Sequence, residues 1–94
     1  MSELKDRPEL GRFEAVENGK VVFARYRRAP GQLIIDHVEA PPSLRGTGAA
    51  DRLMGAIFER AQAEGVEIVP LCGWAAHWLA RRRGTHRSGH SGRG

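Results

Sequence analysis

Residues 12–17, Arg-Phe-Glu-Ala-Val-Glu, alternate apolar and polar side chains with period two, the pattern of a half-buried strand. Asn18-Gly19 follows and supplies the two positive-φ positions of a type I′ turn, so Lys20-Val-Val-Phe-Ala-Arg-Tyr-Arg-Arg is predicted to return as the second strand of a hairpin. Ala29-Pro30-Gly31 marks the next turn, and Gln32-Leu-Ile-Ile-Asp-His-Val-Glu is β-branched enough to form a third strand of an antiparallel meander. Pro41-Pro42 ends it, because two consecutive prolines remove two ladder donors and hold the chain extended.

The period then changes. Between Thr47 and Glu64, Ala50, Leu53, Met54, Ile57 and Ala61 recur at three- and four-residue spacing, with Asp51, Arg52, Glu59, Arg60 and Gln62 on the other side; this predicts an amphipathic helix, and Gly65 stands where a C-terminal cap glycine belongs. Val66-Glu-Ile-Val is a short strand ending at Pro70, and residues 73–82 form a second helix with Trp74, Ala75, Trp78 and Leu79 on one side. The expected fold is α+β, a mixed and mostly antiparallel sheet in the order β-β-β-α-β-α. It occupies residues 12–82, between a polar lead-in over residues 1–11 and a Gly/Ser/Arg/His tail over residues 83–94 whose composition predicts disorder.

Charge changes this picture only after it is divided along the chain. The formal net charge of +4 points at first to nucleic acid. Residues 1–80, however, hold ten basic against eleven acidic side chains, and residues 81–94 hold five arginines and no acid. The domain is near neutral and its tail is basic. Lacking interleaved aromatics, Arg81, Arg82, Arg83, Arg87 and Arg93 read as a solubilising tail rather than a nucleic-acid surface. Cys72 is the single cysteine and excludes an intrachain disulfide; with a charged start instead of an apolar leader, the expected location is cytoplasmic. No apolar run approaches the roughly 20 residues that span a bilayer. His86 and His90 have the spacing of a partial zinc site but no companion ligands, and no metal is expected.

The segment from Pro41 to Ala50 carries the most chemical information. It sets Arg45, Gly46, Thr47 and Gly48 between a strand and the start of the long helix. Glycines let backbone approach an anion, the first helical amides are free to donate, and the helix dipole favours negative charge there. Arg45 adds a charge-assisted donor suited to phosphate. The same two glycines also serve a tight strand-to-helix turn with Arg45 solvated. The loop is neither a Walker A sequence nor a G-x-G-x-x-G fingerprint, which argues against nucleotide hydrolysis.

Arg45-Gly-Thr-Gly-Ala-Ala50 resembles the acyl-CoA pyrophosphate loop of the GNAT N-acetyltransferase superfamily, (Gln/Arg)-x-x-Gly-x-(Gly/Ala). His37-Val-Glu-Ala-Pro41 with Leu44-Arg-Gly-Thr-Gly resembles the His-Thr-Glu-Val-Pro and Arg-Gly-x-Gly-x-Ala pattern of its minimal members, and Val69-Pro-Leu-Cys72 resembles their Val-x-Pro-x-Cys signature, followed by Trp74. Val38 and Ala40 depart from that pattern, as does the closing segment, where Arg82-Arg-Gly-Thr-His-Arg replaces His-Pro-Glu-Tyr. The resemblance implies a GNAT-like acyl-CoA N-acyltransferase fold with acetyl-CoA as co-substrate. Its pantetheine arm would lie beside the third strand, near Val38, and its pyrophosphate on Arg45, Gly46, Thr47, Gly48, Ala49 and Ala50. Trp74 would serve as a further cofactor contact.

Acetyl transfer to an amine needs a group to take the amine proton and a way to stabilise the departing thiolate. Imidazole ordinarily titrates near pH 6.5, which makes His37 the best general base; Glu39, two residues on and so on the same face, can orient it or receive its proton. Cys72, between a strand end and a helix start, suits either a covalent acetyl acceptor or the acid that protonates the leaving thiolate, and the resemblance favours direct transfer. The plainer alternatives are solvent-facing strand residues for His37 and Glu39, a small buried hydrophobe for Cys72, and core packing for Trp74 and Trp78. The expected function is an acetyl-CoA-dependent N-acetyltransferase acting on an exposed amine such as a protein lysine or terminus. The rivals are a non-catalytic CoA-binding or protein-interaction module and a nucleic-acid accessory protein acting through the tail.

Overall fold

A computed structural model describes residues 4–88. Strands β1 (Lys5–Arg7), β2 (Arg12–Glu17), β3 (Lys20–Ala29) and β4 (Gln32–Glu39) form an antiparallel meander. A 3₁₀ turn (Pro42–Leu44) and helix α1 (Ala49–Glu64) then cross over to β5 (Glu67–Pro70), which adds parallel to β4, and helix α2 (Gly73–Ser88) follows. The sheet order is β1-β2-β3-β4-β5.

The local signals act as expected where they are strong. Asn18 and Gly19 adopt φ of 53° and 72°, and Gly65 closes α1 at φ 73° with its N–H donating to the carbonyls of Ala61 and Gln62. Helix α1 starts at Ala49 rather than Thr47. The Thr47 amide and hydroxyl both donate to the Leu44 carbonyl, at 3.2 and 2.5 Å, which holds this residue in the loop.

Ordered elements extend beyond residues 12–82 at both ends. The polar lead-in contributes β1, anchored by the Tyr26 hydroxyl, which donates to Asp6 Oδ1 at 2.5 Å. Burial, and next the bond to Asp6, push the Tyr26 phenol above its ordinary pKa. Helix α2 runs on to Ser88, past the expected end at Arg82. Residues 89–94, with His90 and Arg93, lie outside the described residues.

One face of the sheet buries Phe13, Ala15, Val22, Ala24, Leu33, Ile35 and Ile68 against Leu53, Met54 and Ile57 of α1 and Ala75, Trp78 and Leu79 of α2. The Trp78 indole N–H donates to Asp51 Oδ1 at 2.5 Å, tying α2 to the first turn of α1. The other face of the sheet is open to solvent, with Val16, Val21, Arg25, Arg27, His37 and Glu39 exposed upon it.

Candidate active site

Strands β4 and β5 run side by side from the Gln32 and Glu67 pair to the Ile35 and Pro70 pair, and then part. The last bond between them is the Leu71 N–H to the Ile35 carbonyl at 2.9 Å, after which the chain turns into α2. From residue 36 to 39, β4 continues against β3 alone, so its edge on the β5 side has no strand among the described residues. A backbone edge left open beside a packed core offers donors and acceptors to whatever enters the opening.

A β-bulge at the same level decides which side chains flank that opening. Arg25 pairs with His37 but Tyr26 pairs with Ile35, so Asp36 is an extra residue in β4. Core-facing positions therefore shift from Leu33 and Ile35 to Val38 and Ala40, which pack against the core, and Asp36 and His37 come consecutively onto the open face. Arg27 donates to both Asp36 oxygens at 2.9 Å, and these bonds hold the Asp36 carboxyl below the usual carboxylate range.

His37 Nε2 and Glu39 Oε1 lie 3.0 Å apart, with both side chains half exposed. The pairing expected from their spacing is thus present. Cys72 lies on the other lip of the opening, just past Leu71; it is half-buried against the core, and its carbonyl accepts from the Ala76 N–H at 2.9 Å. His37 and Cys72 therefore border one gap from opposite faces of the sheet, the imidazole on the open face and the thiol on the helical side. Trp74 does not share the buried stripe of Ala75, Trp78 and Leu79. It sits in the first turn of α2, 43% exposed beside the even more exposed Leu71.

The glycine loop closes the helical side of this region. Gly46 and Gly48 adopt φ of 79° and 88°, and a Cβ on Gly46 would meet nothing within 4 Å. Gly48 is the N-cap of α1 without a capping side chain, and the helical ladder opens with the Arg52 N–H donating to the Gly48 carbonyl at 2.9 Å. The amides of Gly48, Ala49, Ala50 and Asp51 precede that ladder and point out of the helix start. Ala49 is buried in the core, so only its backbone faces the loop. Arg45 is exposed, and its Nε donates to the Ala40 carbonyl at 3.2 Å, which brings the guanidinium back across the loop toward the end of β4.

A family model described as GCN5-related N-acetyl-transferase matches residues 12–87, most of the chain. The chain belongs to that family. No curated protein matches it significantly. Membership supports acetyl transfer as the general chemistry of this GCN5-related N-acetyltransferase domain, and β2 through α2 are the elements matched.

Three features of the candidate site leave little trace in the sequence. The bulge at Asp36 is visible only as a slip in the alternation of apolar positions between Ile35 and Val38. Arg52 reaches back from the first turn of α1 to Glu17, with Nε and Nη2 at 2.9 and 2.6 Å from its carboxylate. Its remaining Nη1 lies 2.9 Å from where a Cβ of Gly48 would stand. Neither this pair nor the Asp51–Trp78 bond leaves a local sequence signal, since each joins segments far apart in the chain. A cavity of about 250 Å³ between Phe58, Ala61, Val66 and Leu79 lies at the opposite end of α1 from the loop. No group of three or more metal-ligating side chains occurs among the described residues.

Proposed function

We propose that this chain transfers the acetyl group of acetyl-CoA to an amine by direct attack within the opening between β4 and β5. The observation that carries this reading is the parting of the two strands beyond the Ile35 and Pro70 pair, bordered by His37–Glu39 on the open face and Cys72 on the helical face. The glycine loop fits a diphosphate: two left-handed glycines, a helix start without a side-chain cap, and Arg45 across it. In this reading the amides of Gly46, Gly48, Ala49 and Ala50 hold the diphosphate, with Thr47 bonded to Leu44 shaping the loop. The exposed edge of β4 near Val38 aligns the pantetheine arm, and Trp74 covers its outer side.

The acceptor then approaches His37 from the open face. Its nitrogen forms a bond to the thioester carbonyl carbon as the carbon–sulfur bond breaks. His37 Nδ1 takes the proton from nitrogen while its Nε2–H donates to Glu39, which positions the imidazole, and the Cys72 thiol gives a proton to the departing thiolate sulfur. The products are the N-acetylated amine and CoA thiol; His37 gives its proton to solvent and Cys72 regains one from solvent.

The test is incubation of the protein with acetyl-CoA and a mixed lysine-peptide and small-amine library, read by mass spectrometry and thiol release. Acetylated amine and stoichiometric free thiol are expected. Tight binding of acetyl-CoA with no product from any amine would replace the transferase reading with that of a CoA-binding module.

A further inference from the structure

We propose that the amine acceptor carries a carboxylate a few bonds from its nitrogen, and that Arg25 binds that carboxylate while His37 receives the amine; this rests on the transferase reading above. Arg25 is the register partner of His37 across β3 and β4. Ala24 and Tyr26 are buried in the core, so Arg25 between them points to the open face, where the imidazole also stands. Side chains paired in this way start from Cβ atoms about 5 Å apart. A guanidinium and an imidazole rising side by side span the two ends of a short amino carboxylate.

The neighbouring charged side chains already have hydrogen-bond partners. Arg12, the register partner of Arg25 on β2, gives its Nε to Glu14 at 2.6 Å. Arg27 is bound to both oxygens of Asp36, and Glu39 is bound to His37. Arg25 has no hydrogen bond or ion pair among the described residues, and its charge reaches the bulge, adding to the effect of Arg27 on Asp36. One guanidinium without a hydrogen-bond or ion-pair partner therefore stands beside the proposed base, in the row Arg12, Arg25, His37. Its planar fork suits bidentate recognition of a carboxylate. Asp36 and Glu39 nearby favour a monoanion over a dianionic phosphate, and the cationic row disfavours diamines.

The experiment compares linear ω-amino carboxylates with their carboxamides and with the matching α,ω-diamines, alongside a lysine-peptide pool, by thiol release from acetyl-CoA. The wild-type chain is expected to prefer a carboxylate over its carboxamide by roughly 10–100-fold in kcat/KM. Arg25→Gln brings the two near parity with acetyl-CoA affinity unchanged, and Arg25→Glu turns the preference toward the diamine. Equal rates for carboxylate and carboxamide in the wild type, or a preference that survives Arg25→Gln, would overturn the assignment. Acetylation of lysine peptides with no turnover of any carboxylate would overturn it too, leaving the transferase reading intact. Failure of acetyl-CoA to bind would instead remove the reading on which it rests.

Discussion

Gly48→Val raises the dissociation constant for acetyl-CoA by more than about a hundredfold, which corresponds to roughly 2.7 kcal/mol. Two effects act together. Gly48 sits at φ 88°, where a β-branched residue is strained, and its Cβ would come within 2.9 Å of Arg52 Nη1. The new side chain therefore displaces the guanidinium held by Glu17 and fills the hollow that the glycine leaves before α1. The strain costs about 1–3 kcal/mol of stability, less than the total of an ordinary domain, so the variant still folds. Gly31→Ala supplies the control. Gly31 has φ 72° with nothing within 4 Å of its Cβ position and lies in the turn at the far end of β4. It carries the same kind of backbone strain away from the loop and retains acetyl-CoA affinity. Equal affinity of Gly48→Val and the wild type in calorimetry would make the loop a turn and nothing more.

His37→Ala lowers kcat by about 10²- to 10⁴-fold while acetyl-CoA affinity stays within about twofold, the pattern of a lost general base. The imidazole is half exposed on the open face, so its removal leaves no buried group unsatisfied and the fold unchanged. Glu39→Gln gives a smaller loss, because Glu39 acts through the imidazole it holds at 3.0 Å. Cys72→Ser lowers turnover by roughly tenfold if the thiol acts as an acid, since a hydroxyl is a poorer proton donor at neutral pH. Intact-mass measurement in the absence of an acceptor separates the two roles of Cys72: unmodified protein agrees with direct transfer, and an acetylated thiol with a covalent step. Wild-type turnover in His37→Ala would remove the histidine from the chemistry.

The parts of this site legible in the sequence are those specified within a few residues. Asn18-Gly19 closes the first hairpin, Gly65 caps α1, and Gly46 and Gly48 announce a left-handed loop, because each needs only its own backbone conformation. His37 and Glu39 meet because two residues along a strand restore the face. What the sequence hides is set by distant partners. Strand β1 has three polar residues and exists because β2 and Tyr26 receive it. The bulge at Asp36 follows from how β3 and β4 register, yet it moves His37 onto the face where Arg25 stands. Trp74 and Trp78 look alike at helical spacing, but only Trp78 is buried, its indole N–H bonded to Asp51. The opening itself arises where Pro70 ends β5 while β4 runs on, a mismatch of two strand lengths that no single segment records.

Calorimetric titration of the full chain with acetyl-CoA tests the central claim most directly. One-to-one binding with a dissociation constant below about 100 μM is expected, weakened by Gly48→Val and preserved in Gly31→Ala. No heat of binding at millimolar acetyl-CoA, with the protein folded, would contradict the assignment of the opening between β4 and β5 as an acetyl-CoA site.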